Sequence, residues 1–368
     1  MDSLDIVVCG RTITSFREPR HTCIYRTLLR ALAARGHRVT FLERRREVDA
    51  RFQDLEPLPY CDVHFYEGVD QLRDRFSGSI RRADLVLVGS GLEEGVELNR
   101  WVLSGATGIR AFYDLHGPVT LESAMTGGCT WLDPAQAAEF DLYLTCSGGP
   151  LLGHLERRLG VRSPRALYPS ADPLEHHSPA TPARYDLGYM GEFCPHRQRS
   201  VKELFLEPAV EWSEGRFLLA GSGYQGLRLP RNVDRTDDVC LDQHDSVLGS
   251  QRFTLIATPP TTARMGHCPD IRLMEAAARG TPVISDRWNG LSGFFTPGEE
   301  ILVVRSPREV LEILRLMPEA RRLAIRLRAR KRVLAQHTPD HRAETLESYL
   351  AEVPGRHAPR RRRALIKA

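Results

Sequence analysis

The residues best suited to chemistry lie close together in Pro269–Asp286, which reads PDIRLMEAAARGTPVISD. Arg272 and Glu275 stand three apart, so on a helix they share one face. The start of such a helix offers free backbone N–H groups and a positive dipole end, both suited to a phosphate. Arg272 adds a planar, permanently charged fork for the same anion. Glu275 supplies two acceptor oxygens, which match the paired 2′- and 3′-hydroxyls of a ribose. A solvent-facing helix acid is the plainer alternative for Glu275. Two further loops face the same chemistry. Gly191–Gln198 follows an expected strand and carries Arg197, a candidate partner for a diphosphate, and Gly221 follows another strand where it can line the same cleft.

A second set of candidates lies in the N-terminal half. His21 stands at the expected start of a helix, where the dipole disfavours the imidazolium and keeps the ring able to accept a proton. Asp114 ends an expected strand on the same sheet edge and is placed to orient His21, as the acid of a triad does. His116, two residues on, is a rival base, and Arg20 adds charge beside His21 on the acceptor side. The turn Cys146–Pro150 (CSGGP) offers backbone N–H groups to a ligand, although close packing is the expected use of its glycines. His176 and His177 lie adjacent in a proline-rich segment without a third ligand nearby, so a surface pair is expected and no metal site is assigned.

These residues need elements to hold them. Compact apolar runs predict strands at Leu4–Cys9, Val39–Leu42, Asp84–Gly89, Ile109–Leu115 and Asp141–Cys146, with helices at Thr22–Arg35 and Pro150–Leu159. Residues 172–184 are rich in proline and polar side chains and read as a linker. The alternation then restarts: strand Tyr185–Met190, helix Val201–Glu207, strands Phe217–Ala220 and Phe253–Ala257, helix Ile271–Arg279, strands Pro282–Ser285 and Ile301–Val304, and helices Pro307–Leu316 and Glu319–Gln336. The expected architecture is α/β, two Rossmann-like doubly wound domains facing across a cleft. The boundaries follow as residues 1–171 for acceptor binding, 185–340 for the nucleotide sugar, and 341–368 for a terminal helix and basic tail.

Composition bounds the function. The 368 residues are 42% hydrophobic and 27% charged, as in globular proteins, and no apolar run approaches a membrane span. The net charge of +4 is concentrated at the end; removing the six positive residues of the last fourteen leaves −2, so the body is not expected to bind nucleic acid. Eight scattered cysteines without a C-x-x-C pair indicate reduced thiols. Together with an N-terminus that enters a strand at once, this points to a cytoplasmic protein. The Gly191–Gln198 loop holds too few glycines for a G-x-G-x-x-G phosphate loop, which argues against a plain nicotinamide enzyme.

The segment around Glu275 resembles the donor-binding signature of GT-B glycosyltransferases, in which a Glu before an Ala-Ala-x-Gly-Thr-Pro-Val-Ile run holds the ribose. Ile271–Ala278, Gly293–Glu300, Tyr25–Glu43, Phe112–Asp114, Tyr185–Tyr189 and Phe253–Leu255 are similar to the spore-maturation CgeB-like group of that superfamily. The resemblance implies donor contacts at Arg197, Gly221, Arg272 and Glu275, with His21 and Asp114 as catalytic candidates. It departs at two places. Many retaining members carry a second acid eight positions before the ribose Glu, where this chain has His267, and Glu18-Pro19-Arg20 replaces a glycine-rich stretch. The expected function is transfer of a sugar from a nucleoside diphosphate sugar to an acceptor, with no cofactor and no required metal. The alternatives are a GT-B-fold nucleotide-sugar epimerase and a non-catalytic sugar-nucleotide-binding partner of a biosynthetic complex.

Overall fold

A computed structural model describes residues 2–47, 53, 56–176, 182–237 and 239–354. The basic tail, His177 and part of the expected linker lie outside the described residues. Seven parallel strands form the first sheet: β1 Asp5–Gly10, β2 Arg38–Arg44, β3 Asp62–Tyr66, β4 Leu85–Gly89, β5 Ile109–Asp114, β6 Leu142–Thr145 and β7 Pro164–Ala166. Their order is β3-β2-β1-β4-β5-β6-β7, so the chain reverses direction across the sheet between β1 and β4. The second sheet contains β8 Tyr185–Met190, β9 Phe217–Ala220, β10 Val233–Thr236, β11 Gln251–Ile256, β12 Val283–Ser285 and β13 Leu302–Val303. It is also parallel, in the order β10-β9-β8-β11-β12-β13. Each sheet is covered on both faces by apolar clusters, the arrangement that parallel strands require.

The helices that carry site residues are set by local signals. Helix Pro19–Ala34 begins three residues earlier than the spacing predicts, because Pro19 fits the first turn, where its missing N–H costs nothing. It buries Ile24, Tyr25, Leu28, Leu29 and Leu32 on one face against the sheet. Helix Ile271–Arg279 starts where Asp270 accepts the Arg272 N–H at 3.0 Å and stops at Gly280, whose φ of 87° suits a left-handed cap. The expected helix at Val201–Glu207 is longer and irregular. Gln198–Val201 and Glu207–Glu211 are α-helical, with a π-helical insertion, Lys202–Leu206, between them.

The last helix, Pro339–Glu352, packs on the first sheet. Ala343, Leu346 and Leu350 join its core, Glu347 pairs with Arg35 at 2.6 Å and His37 at 2.9 Å, and the Tyr349 hydroxyl donates to the Ala166 carbonyl at 3.1 Å. The two crossings between domains lie side by side, since Ala171 N–H donates to the His337 carbonyl at 3.1 Å.

Candidate functional site

The carboxyl ends of both sheets turn toward the junction of the domains, where open α/β sheets place their ligands. A cavity of about 440 Å³ lies there, lined by Phe16 and Arg17 from the loop after β1 and by Gly191, Gly221, His244 and Arg272 from the second domain. Gly221 has φ of 138°, and a Cβ on it would come within 2.3 Å of the Gly191 carbonyl oxygen. Two backbone turns therefore meet at the cavity wall with no room for a side chain between them.

Helix Ile271–Arg279 presents its charged face to this cavity and to a second one of about 270 Å³, lined by Cys23, His176, His244 and Glu275. Glu275 is 3% exposed, so the solvent-facing alternative does not hold. Its Oε2 accepts from Arg272 Nη1 at 2.5 Å, and the same guanidinium nitrogen lies 2.9 Å from His244 Nδ1. Burial alone would raise the Glu275 pKa, but Arg272 and His244 outweigh it and hold the carboxylate well below its usual range. Cys23, His244 and Glu275 place possible metal-ligand atoms within 4.8 Å of one another. Arg272 already sets a cation against two of the three, supplying the charge that a metal would bring.

Asp270 gathers the other cations. One oxygen caps the helix, and the other accepts from Arg197 Nη2 at 3.0 Å. Burial pushes its pKa up, but Arg197, then Arg20, pull it below the ordinary value. Arg20, expected on the acceptor side, thus also acts across the domain junction. Its Nη2 donates to Cys146 Sγ at 3.2 Å.

The His21–Asp114 pair expected from the sequence is not formed. Asp114 is fully buried, and its Oδ1 accepts from the N–H groups of His116 and Gly117, at 2.9 and 3.0 Å, and from Thr120 Oγ1 at 2.7 Å. Its Oδ2 accepts from Tyr143 at 3.0 Å. The physical reason is the turn after β5. Its backbone donors lie nearer than His21, so the carboxylate caps the turn. Burial raises its pKa, with these hydrogen bonds opposing.

His21 instead faces His116, with ring centroids 5.1 Å apart. Its Nδ1 is buried without a hydrogen-bond partner, and its pKa falls to about 3, chiefly through burial and then through His116. The ring is therefore neutral, but desolvation dominates that effect. His116 is held by Ser90 Oγ at 2.8 Å from Nδ1 and is lowered to about 4, by burial and then Arg20.

A family model described as glycosyl transferase-like matches residues 197–348. Among solved structures, a sucrose-phosphate synthase from Thermosynechococcus elongatus is similar over 95% of this chain and 98% of its own, at 15% identity and a TM-score of 0.68. HepE from Anabaena, in complex with UDP and glucose, is similar over 95% and 99%, at 11% identity and a TM-score of 0.68. AviGT4, a glycosyltransferase involved in avilamycin A biosynthesis, is similar over 95% and 98%, at 16% identity and a TM-score of 0.60. A search of the curated proteins found no match. The fold is GT-B.

In this GT-B chain the structure brings Gly221, Arg272 and Glu275 to adjoining cavities, with Arg197 beside them through Asp270. His21 and His116 form a separate pair on the first domain. The glycines of the Cys146–Pro150 turn serve close packing: a Cβ on Gly149 would come within 2.2 Å of His267 Cδ2 from the other domain. His267 itself adopts φ of 48°, unusual for a residue with a side chain. His176 is buried, not a surface residue. Its segment turns back on Asp172 and packs 3.9 Å from Asp245. Sequence reasoning missed His244 and Asp270. Asp270 had a readable signal, an N-cap acid directly before an apolar helix, whereas nothing near His244 marks it.

Proposed function

We propose that this chain transfers a sugar from a nucleoside diphosphate sugar to an acceptor, and that within the GT-B fold it is a CgeB-like enzyme. The observation that carries the reading is the buried Arg272–Glu275 face at the head of a capped helix, where Arg272 lines a 440 Å³ cavity between two domains and Glu275 an adjoining one of 270 Å³. In the proposal, Glu275 Oε1 takes the ribose hydroxyls. Arg272 and Arg197, with the helix N-terminus, take the diphosphate and stabilise it as it leaves. Neighbours of the same fold hold UDP and glucose or UDP-glucose, which makes UDP the first nucleotide to try. His21 is the proposed general base. Its ring is neutral in the free protein, the form that can accept a proton.

Thermal-shift titrations with UDP, GDP, dTDP and ADP test the reading directly, since a ligand that binds only the folded state raises its melting temperature by mass action. One nucleotide should stabilise the protein, and Glu275→Ala should abolish that response. An unchanged response in the variant removes Glu275 from the donor site.

A further inference from the structure

We propose that Cys146 and Cys268 form an oxidant-sensitive dithiol site, which reacts with a peroxide and closes to a disulfide joining the two domains. Cys146 directly follows β6 of the first domain, and Cys268 lies two residues before Asp270, the cap of the donor helix. Each thiol acts electrostatically on the other, and Cys268 packs against the apolar cluster that contains Cys146. The adjoining backbone is clamped, with the Gly148 N–H donating to the His267 carbonyl at 2.8 Å. Arg20 Nη2 lies 3.2 Å from Cys146 Sγ, and its charge acts on both sulfurs. None of these sulfurs has a part in the sugar transfer proposed above.

The surroundings divide the roles. A reactive cysteine requires a thiolate, which a nearby cation and donated hydrogen bonds stabilise. Cys268 is only partly buried, so a peroxide can reach it, whereas Cys146 is fully buried; Cys146, then Arg20 and Ser147, pull the Cys268 thiol below its ordinary value against the effect of burial. Cys146 donates to the Leu115 carbonyl at 3.2 Å and is pushed upward. Cys268 is therefore the nucleophile and Cys146 the resolving thiol. The Cys268 thiolate attacks one oxygen of hydrogen peroxide, the O–O bond breaks, and hydroxide leaves to be protonated to water; Cys268 becomes a sulfenic acid. Cys146 Sγ then attacks the Cys268 sulfur, the S–O bond breaks, and a second water leaves with the Cys146 proton. Two thiols are oxidised and one peroxide is reduced. The resulting bond ties the end of β6 to the loop that feeds the donor helix and prevents the domains from separating.

Peptide mapping of the full-length protein under non-reducing conditions, after mild hydrogen peroxide, tests this. The expected product is a Cys146–Cys268 peptide pair two hydrogens lighter than the free thiols, reversed by dithiothreitol. It should form at least tenfold faster in the folded protein than in denaturant, and the oxidised protein should melt several degrees higher, because the bond closes a long loop. Cys268→Ser should abolish the product, and Cys146→Ser should leave a sulfenic acid on Cys268 that dimedone labels. Free Cys146 and Cys268 in protein whose Cys194 or Cys240 has already oxidised would overturn the proposal, as would an equal rate in denaturant.

Discussion

Replacing Glu275 with glutamine separates the structural and ligand-binding roles of the Arg272–Glu275 pair. Glu275 is 3% exposed and Arg272 8%, and their charged atoms stand 2.5 Å apart. Removing the carboxylate charge leaves the guanidinium buried with neutral His244 beside it and Asp270 as its remaining acidic neighbour, at a cost of roughly 3–5 kcal/mol. For a domain of this size that corresponds to a fall in melting temperature of roughly 10 °C. Binding should suffer independently. Two charge-assisted hydrogen bonds to ribose hydroxyls, weakened to neutral ones, amount to about 3 kcal/mol, or about a hundredfold in UDP affinity. The double variant Arg272→Met/Glu275→Gln takes out both charges and should recover much of the lost melting temperature, while UDP still fails to bind. Differential scanning fluorimetry and calorimetric titration of the wild type, both single variants and the double variant give the complete cycle. The reasoning is refuted if Glu275→Gln binds UDP within threefold of wild type, or if the double variant is as unstable as the two single losses added.

Stability should fall with acid, because His21, His116 and His337 have folded pKa values lowered from 6.5 to about 3, 4 and 4, chiefly by burial. Below 6.5 the unfolded chain binds protons that the folded one refuses, so each ring costs about 2 kcal/mol between pH 7 and pH 5; the raised pKa of Asp114 and Glu43 offsets part of this, and urea midpoints that do not change would count against it. His21→Ala should lower kcat by about 10²–10⁴ while UDP affinity stays within threefold, and a loss confined to KM would remove His21 from the chemistry. Gly221→Ala should weaken UDP binding at least tenfold and lower the melting temperature, since its Cβ meets the Gly191 carbonyl at 2.3 Å; wild-type titration curves would show that the cavity wall yields. Asp270→Asn retains a good N-cap but removes the charge that holds Arg197, so the variant should bind UDP more tightly and melt lower; weaker binding would show that Asp270 orients the cations and does not compete for them.

What could be read in advance depended on burial. The central strands are apolar along their length and their positions are clear from composition alone, as β4, Leu85–Gly89, shows. Three strands that escaped notice lie at sheet edges or are very short. β10 exposes three of its four residues, β7 has three residues beginning with proline, and β3 carries Asp62 and His64. An edge strand has no second face to bury and so leaves no continuous apolar run. Helix Val69–Arg82 was hidden for another reason. Its buried Val69, Leu72, Phe76 and Ile80 lie three or four apart among nine charged or polar neighbours that dilute the signal. The Arg272–Glu275 face was legible because both residues belong to one helix. His244, Cys146 and the Arg20–Asp270 interaction were not, because each joins segments distant in sequence that only the folded chain brings together, the last of them across the two domains.

Asp270 gives the junction its electrostatic logic. Three arginines, Arg20, Arg197 and Arg272, act on this single carboxylate, and Glu275 balances Arg272 on its other side. Three like charges held together without these acids would repel one another strongly in a site of low dielectric. In the free protein they are instead held in place by internal partners, at the price of occupying the groups that a ligand needs. In the proposed donor site, a diphosphate exchanges with Asp270 for Arg197, keeping the cations in position while the acid retains its helix cap through the other oxygen. Because Arg20 belongs to the first domain and Arg197 and Arg272 to the second, that exchange also senses whether the domains are closed. On that proposal the donor site is complete only when the junction at Gly148 and His267 is formed, so that nucleotide binding and closure are expected to favour one another.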